Sequence, residues 1–205
     1  MIEMARKSAE DAELTRQNLV AAGIQFFAEH GYAGTTLEMV SQRAGVTRGA
    51  VYWRFKGKDA LLRTVLDDCV LPLEDFLDQG ASFEEGMAQL RGAMSRTLHH
   101  QQSRQICELM LQKSERVDDL SPIALRLHDA QDRFHEQLKA LLGRGVSRGE
   151  LVANLDVRVS SQILQVCFTG LIVECLRQPL ESTHHLESTL NALCVMFKGA
   201  FIPTS

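Results

Sequence analysis

From residue 12 to residue 30 the apolar positions Leu19, Ala22, Phe26 and Phe27 fall at i, i+3, i+7 and i+8, the period of one helix face. The following "EHGY" supplies a glycine stop at Gly31. Thr35, with Glu38 three residues later, reads as a capping box opening a short helix whose Leu37, Val40 and Ala44 share one face. Gly45 ends that helix, and Thr47 is an N-cap for the next, in which Val51 and Phe55 point inward at i, i+4. A further helix starts at Lys58, carries Leu61, Leu62, Val65 and Leu66, and is expected to run to about Leu71 before Pro72 interrupts it.

The same period predicts helices over 82–100, 104–113, 122–146, 157–177 and 184–200. The breaks fall at "LDQGAS", "SERVDD", "GRGVSRGE" and "RQPLEST". Nowhere do apolar and polar residues alternate over a strand's length. The expectation is an all-α protein: a small three-helix head, residues 1–57, and a larger helical body, residues 58–205, bridged by the helix from Lys58.

Charge sharpens that division. The chain of 205 residues is 45% hydrophobic and 23% charged with a net charge of −4, ordinary values for a globular protein. Residues 35–63, however, hold six Lys/Arg against two acids, whereas residues 67–205 hold 13 against 19. A basic head on an acidic body points toward nucleic acid. The five cysteines are widely spaced without a CxxC pair, and "MIEMARKSAEDAELTRQ" has no apolar leader core. The expectation is a cytoplasmic protein with reduced thiols. The most apolar run, Ile163 to Leu176, is interrupted by Gln165 and Glu174 and falls short of the roughly 20 residues of a membrane span.

Two short helices joined by a tight turn at Gly45 make a helix-turn-helix, whose second helix can enter the DNA major groove. With Val51 and Phe55 turned inward, the opposite face carries Arg48, Gly49, Tyr52 and Trp53. An arginine in the first turn can fork onto a guanine edge. Gly49 costs about 1 kcal/mol of helix propensity relative to alanine, which makes sense if another surface must lie close there. Tyr52 and Trp53 offer polar tips for phosphates, and Thr35, Thr36 and Lys58 are placed to meet the backbone on either side. The same exposed aromatics and arginines would also suit a partner protein.

Several enzymatic signatures are missing: the sequence has no HExxH, P-loop or paired-carboxylate constellation. His99-His100 and His184-His185 are adjacent, so each pair splits across a helix surface rather than converging on a metal. No catalytic residue, metal or cofactor is expected. Cys107 is the best candidate for an alternative reading, a redox- or electrophile-sensing regulator, with Arg104 and Lys113 nearby and Glu108 adjoining.

The stretch "FFAEHGYAGTTLEMVSQRAGVTRGAVYWRFKGKDALL" resembles the N-terminal domain of the TetR family of bacterial transcriptional repressors. The resemblance rests on Phe27, Gly31, Tyr32, Thr35, Thr36, Leu37, Val40, Ala44, Gly45, Val46, Thr47, Gly49, Val51, Tyr52, Phe55, Lys58 and Leu61. Ser41 departs from it, standing where the family usually has alanine. The start of the chain, "TRGAVYW" and "RQICELMLQKSERVDD" are similar to a narrower branch, the AcrR- and TtgR-like repressors of multidrug efflux operons.

By position, the resemblance implies DNA contacts at Thr35, Thr36, Thr47, Arg48, Tyr52, Trp53 and Lys58, and a pseudo-palindromic operator. It implies a homodimer through the last two long helices, about 157–177 and 184–200. The apolar "QILQVCFTGLIVECL", with Gly170 permitting close approach, and "LNALCVMFKGAF" are compatible with that, and equally with a plain intramolecular core. It also implies a cavity among the middle helices for a small hydrophobic or aromatic effector. Its candidate lining is Leu66, Val70, Leu73, Cys107, Met110 and Leu111 from the first half, then Phe134, Leu138, Val166 and Phe168. The helix from Lys58 would be the lever between cavity and DNA.

Overall fold

The computed structural model describes residues 2–111, 121–178 and 186–201. Nine α-helices and no strand occur among these residues: α1 (Ile2–Gly34), α2 (Leu37–Arg43), α3 (Arg48–Arg54), α4 (Lys58–Asp67), α5 (Phe83–His99), α6 (Gln101–Leu111), α7 (Pro122–Ser147), α8 (Val157–Leu176) and α9 (Leu186–Phe201). The all-α expectation holds. The expected end of one helix at residue 113, the expected start of the last at residue 184, the "SERVDD" break and the His184-His185 pair lie outside the described residues.

Three boundaries differ from the sequence reading. The first helix begins at Ile2, because "AEDAELTRQ" is polar but made of good helix formers. The fourth stops at Asp67 instead of Leu71, ahead of the 3-10 turn at Pro72–Glu74. At that turn the buried Glu74 carboxylate accepts from the Leu71 amide and faces Arg133 at 3.5 Å. The sixth begins at Gln101, so only His100 separates it from α5.

Packing divides the chain into two compact units, Met1–Cys69 with Gln105–Leu127, and Val70–Arg104 with His128–Ser205. In the first, α1 packs on α2 and α4, and α2 on α3. Leu19, Phe27, Val40, Val51, Leu61 and Val65 are fully buried, so the apolar stripe of each short helix meets one small core. Gly23 lets α1 and α4 close up, since a Cβ there would sit 3.1 Å from the Val65 Cγ2 methyl. Arg126 of α7 fastens the end of α4, donating from Nε to the Leu66 carbonyl at 3.1 Å and from Nη2 to the Cys69 carbonyl at 2.7 Å. The Leu66 carbonyl is one that the end of a helix leaves without an intrahelical partner, and Cys69 lies just past the Asp68 cap.

In the second unit, α5 opens with a Ser82–Glu85 capping box and packs on the 3-10 turn and on α8. Gly86 makes room for α7: a Cβ there would fall 2.3 Å from a Leu141 methyl. Arg104 donates to the Cys175, Leu176 and Gln178 carbonyls at the end of α8.

The α8 helix has 20 residues and an 18-residue stretch of mean hydropathy 1.5, long and apolar enough by composition to cross a membrane. This corrects the length read from Ile163 to Leu176. One side of α8 is packed through Leu164, Phe168 and Ile172, while Val159, Ile163 and Val166 are exposed. Val195 and Met196 of α9 are exposed as well. A soluble helix that buries one apolar side and presents a second passes the same length test.

Candidate nucleic-acid interface

The turn between α2 and α3 is fixed by backbone geometry. Gly45 has φ +67°, in the left-handed region, where a side chain would be strained. Its N–H donates to the Gln42 carbonyl at 3.2 Å, and the Val46 N–H donates to the Ser41 carbonyl at 3.0 Å. This paired closure is the Schellman arrangement, and it aims the chain out of α2 in one direction. Thr47 then caps α3, its Oγ1 accepting from the Ala50 N–H at 3.2 Å. As the sequence suggested, Val51 and Phe55 are buried.

The outward face of α3 follows from that burial. Tyr52 is 48% exposed and Trp53 84% exposed, the latter a large apolar ring that the fold itself leaves uncovered. A Cβ added to Gly49 would meet nothing nearer than the Thr47 hydroxyl at 3.9 Å. The missing side chain is therefore not required by the folded chain. Arg48 reaches back to α2, with Nη1 2.5 Å from Glu38 Oε1, and its guanidinium carbon lies 5.5 Å from the Tyr52 ring centre.

Two expected backbone contacts take other roles. Thr35 is 1% exposed, and its single hydroxyl proton is shared between the Gly31 carbonyl at 2.8 Å and the Phe26 carbonyl at 3.0 Å. Its side chain fastens the end of α1 and is turned away from any phosphate. Thr36, not Thr35, is the N-cap of α2, accepting from the Met39 N–H at 3.2 Å, which leaves Glu38 free of the expected capping box. Thr36 and Thr47 remain exposed.

Lys58 is half-buried and donates to the Tyr32 carbonyl at 2.6 Å and to the Ala33 carbonyl at 3.4 Å. Two of its three N–H donors thus serve the head itself. Tyr32 in turn donates its hydroxyl to Asp59, and this hydrogen bond to the carboxylate pushes the phenol up to about 12.

The expected effector residues belong to different environments. Leu66, Cys107 and Met110 are buried and Leu111 half-buried in the first unit, while Leu73, Phe134, Leu138 and Phe168 are buried in the second. Val70 and Val166 are 61% and 66% exposed, unlike the buried or half-buried remainder of the expected lining. An open groove of about 510 Å³ in the second unit is lined by Val70, Pro72, Arg96, His99, His100 and Ser103. Sequence reasoning missed the Glu38–Arg48 pair, because residues ten apart across an irregular turn have no fixed spacing rule.

Comparison with known proteins places this geometry. Residues 19–65 match the family model described as bacterial regulatory proteins, tetR family. The HTH-type transcriptional regulator SrpR of Pseudomonas putida is 33% identical over 195 residues, 95% of this chain and 91% of SrpR. The HTH-type transcriptional regulator TtgR, also of Pseudomonas putida, is 30% identical over 86% of this chain and 87% of its own. Among solved structures, NalD, the secondary repressor of the MexAB-OprM multidrug efflux pump in Pseudomonas aeruginosa, superposes with a TM-score of 0.73. It is 27% identical, covering 96% of this chain and 100% of NalD. The stapled turn, the outward aromatic face of α3 and the near full-length likeness to SrpR together assign this chain to the TetR family of helix-turn-helix transcriptional regulators.

Proposed function

We propose that this regulator represses a multidrug efflux operon, binding a pseudo-palindromic operator as a cytoplasmic homodimer and leaving it when a small hydrophobic or aromatic compound binds. The observation that carries the DNA part is the outward face of α3. Arg48, Gly49, Tyr52 and Trp53 stand exposed on a helix whose opposite side is anchored by Val51 and Phe55. In this reading Arg48 reads a guanine edge, and Tyr52, Trp53, Thr36 and Thr47 meet phosphates. The remaining Lys58 donor is available to a phosphate too.

Residues 1–57 act as the reading head and residues 58–205 as the effector-binding and dimerising body. The exposed Val159, Ile163 and Val166 of α8 and Val195 and Met196 of α9 support dimerisation through these two helices. The efflux assignment is supported by NalD, a repressor of such a pump. Release requires an effector that prefers the non-binding state. Moving from 1:99 to 99:1 takes about 5.5 kcal/mol of differential affinity, with α4 as the element shifted.

The alternative, a Cys107-based redox sensor, finds no support in the geometry. Cys107 is 3% exposed, whereas a reactive thiol needs partial access.

The test is fluorescence anisotropy on a duplex carrying the region upstream of the protein's own gene, with and without hydrophobic pump substrates. The expected result is preference for that duplex over scrambled sequence, and release by at least one compound. Equal binding to both duplexes would remove the repressor reading, and binding that no compound relieves would remove the inducible part.

A further inference from the structure

We infer that Glu38 is a specificity-determining residue, a carboxylate buttress that aims the Arg48 guanidinium and disfavours its resting on phosphate. This rests on the proposed reading of Arg48 as a base contact. The observation is a three-residue relay across the helix-turn-helix. Glu38 on α2 takes one edge of the guanidinium through Nη1 at 2.5 Å, and Tyr52 on α3 lies under it, 5.5 Å from ring centre to guanidinium carbon. Arginine carries five N–H donors in a planar fork, so the carboxylate leaves the other edge for a bidentate acceptor. A guanine offers O6 and N7 side by side for such a fork; a phosphate can accept a fork too, but its negative charge is opposed by the adjacent Glu38 carboxylate, whereas the uncharged guanine edge is not.

Neither partner is held there by burial. Arg48 is 69% and Glu38 47% exposed on their side chains, and an ion pair this open adds little to folding. Its position accounts for it better. Glu38 is one of only two acids among residues 35–63, and it meets the guanidinium on the exposed side of the helix that would enter the groove. A negative charge there opposes every phosphate alike, so it weakens binding to any sequence. Only a site with a guanine at the right place recovers the loss, through the arginine that Glu38 has aligned. Binding in general is thereby weakened while the preferred site is favoured, which is how discrimination between similar ligands is built.

The test measures affinity for two duplexes, the region upstream of the protein's own gene and a scrambled sequence of equal length and composition, each over a salt series. Four proteins are compared: wild type, E38Q, R48A and the double variant E38Q/R48A. E38Q is expected to tighten the scrambled duplex by about threefold, the effect of removing one screened like charge, and to steepen its salt dependence. It is expected to weaken the upstream duplex, so that the ratio of the two affinities falls by about tenfold, the size of one base contact's discrimination. In the R48A background the same change should leave that ratio unaltered, because the buttress has nothing to aim. Equal changes on both duplexes, or an undiminished ratio in E38Q, would overturn the inference while leaving the repressor reading intact. Absence of any preference in the wild type would instead count against the repressor reading.

Discussion

Lys58 holds Tyr32 from two directions: its ammonium lies 4.1 Å from the ring centre and 2.6 Å from the residue's own carbonyl oxygen. One side chain from the first turn of α4 thus closes the end of α1 just where Gly31 breaks it, at φ 69° and ψ 179°. Lysine near helix-terminal carbonyls is favourable for the dipole as well as for the hydrogen bonds. The residue expected from sequence to grip DNA is first a strut of the head.

Replacing Lys58 with methionine is therefore expected to lower stability by about 1–2 kcal/mol, the loss of a charge-assisted hydrogen bond and a cation–ring contact. Thermal unfolding followed by circular dichroism measures this. If the strut is the main role, weakened DNA binding should come with little change in salt slope. A phosphate contact would reduce that slope by about 0.9.

Gly49→Ala separates folding from recognition. With 3.9 Å to the nearest atom, the new methyl meets no obstacle inside the chain, so helix propensity should raise stability by up to about 1 kcal/mol. The same methyl would occupy the face proposed to meet DNA, so affinity for the upstream duplex should fall. A rise in melting temperature together with a loss of binding is the expected pair; unchanged binding would show that this face stays clear of the groove.

Trp53 is the single tryptophan of the chain and 84% exposed, which makes it a built-in reporter. In the free protein its fluorescence should be red-shifted and readily quenched by iodide. Addition of the upstream duplex should protect it, and raising the salt should restore quenching as the complex dissociates.

Tyr32 provides a pH test. Its phenol is pushed up to about 12 by its hydrogen bond to Asp59, above the usual value near 10. The folded state then holds the proton more tightly than the unfolded state, so this stabilisation is complete below about pH 10. It is lost as the pH rises through about 12. Ultraviolet titration of a Tyr52→Phe variant, in which Tyr32 is the remaining tyrosine, should show the late transition, and adding Asp59→Asn should bring it down.

Gly86 is a packing position. A Cβ there would sit 2.3 Å from one Leu141 methyl and 3.0 Å from a Leu77 methyl, so Gly86→Val forces α5 and α7 apart. The expected destabilisation is about 1–3 kcal/mol or more, read from the denaturation midpoint.

The sequence by itself determined the helices, the turn and the outward face of α3. Each depends on local rules, such as the apolar spacing of Val51 and Phe55, the cap at Thr47 and the left-handed residue at Gly45, which act over one or two helical turns. Tertiary structure decided which side chains were already engaged. Thr35 and Thr36 are chemically equivalent neighbours, yet one is buried against the Phe26 and Gly31 carbonyls and the other caps α2. Lys58 meets Tyr32 across 26 positions, and Glu38 meets Arg48 across an irregular turn. Val70 and Val166 are exposed although their chemistry suggested an interior. Spacing along a chain reports which face a residue occupies, but the partner on the opposing face is supplied by a distant segment, and only folding brings the two together.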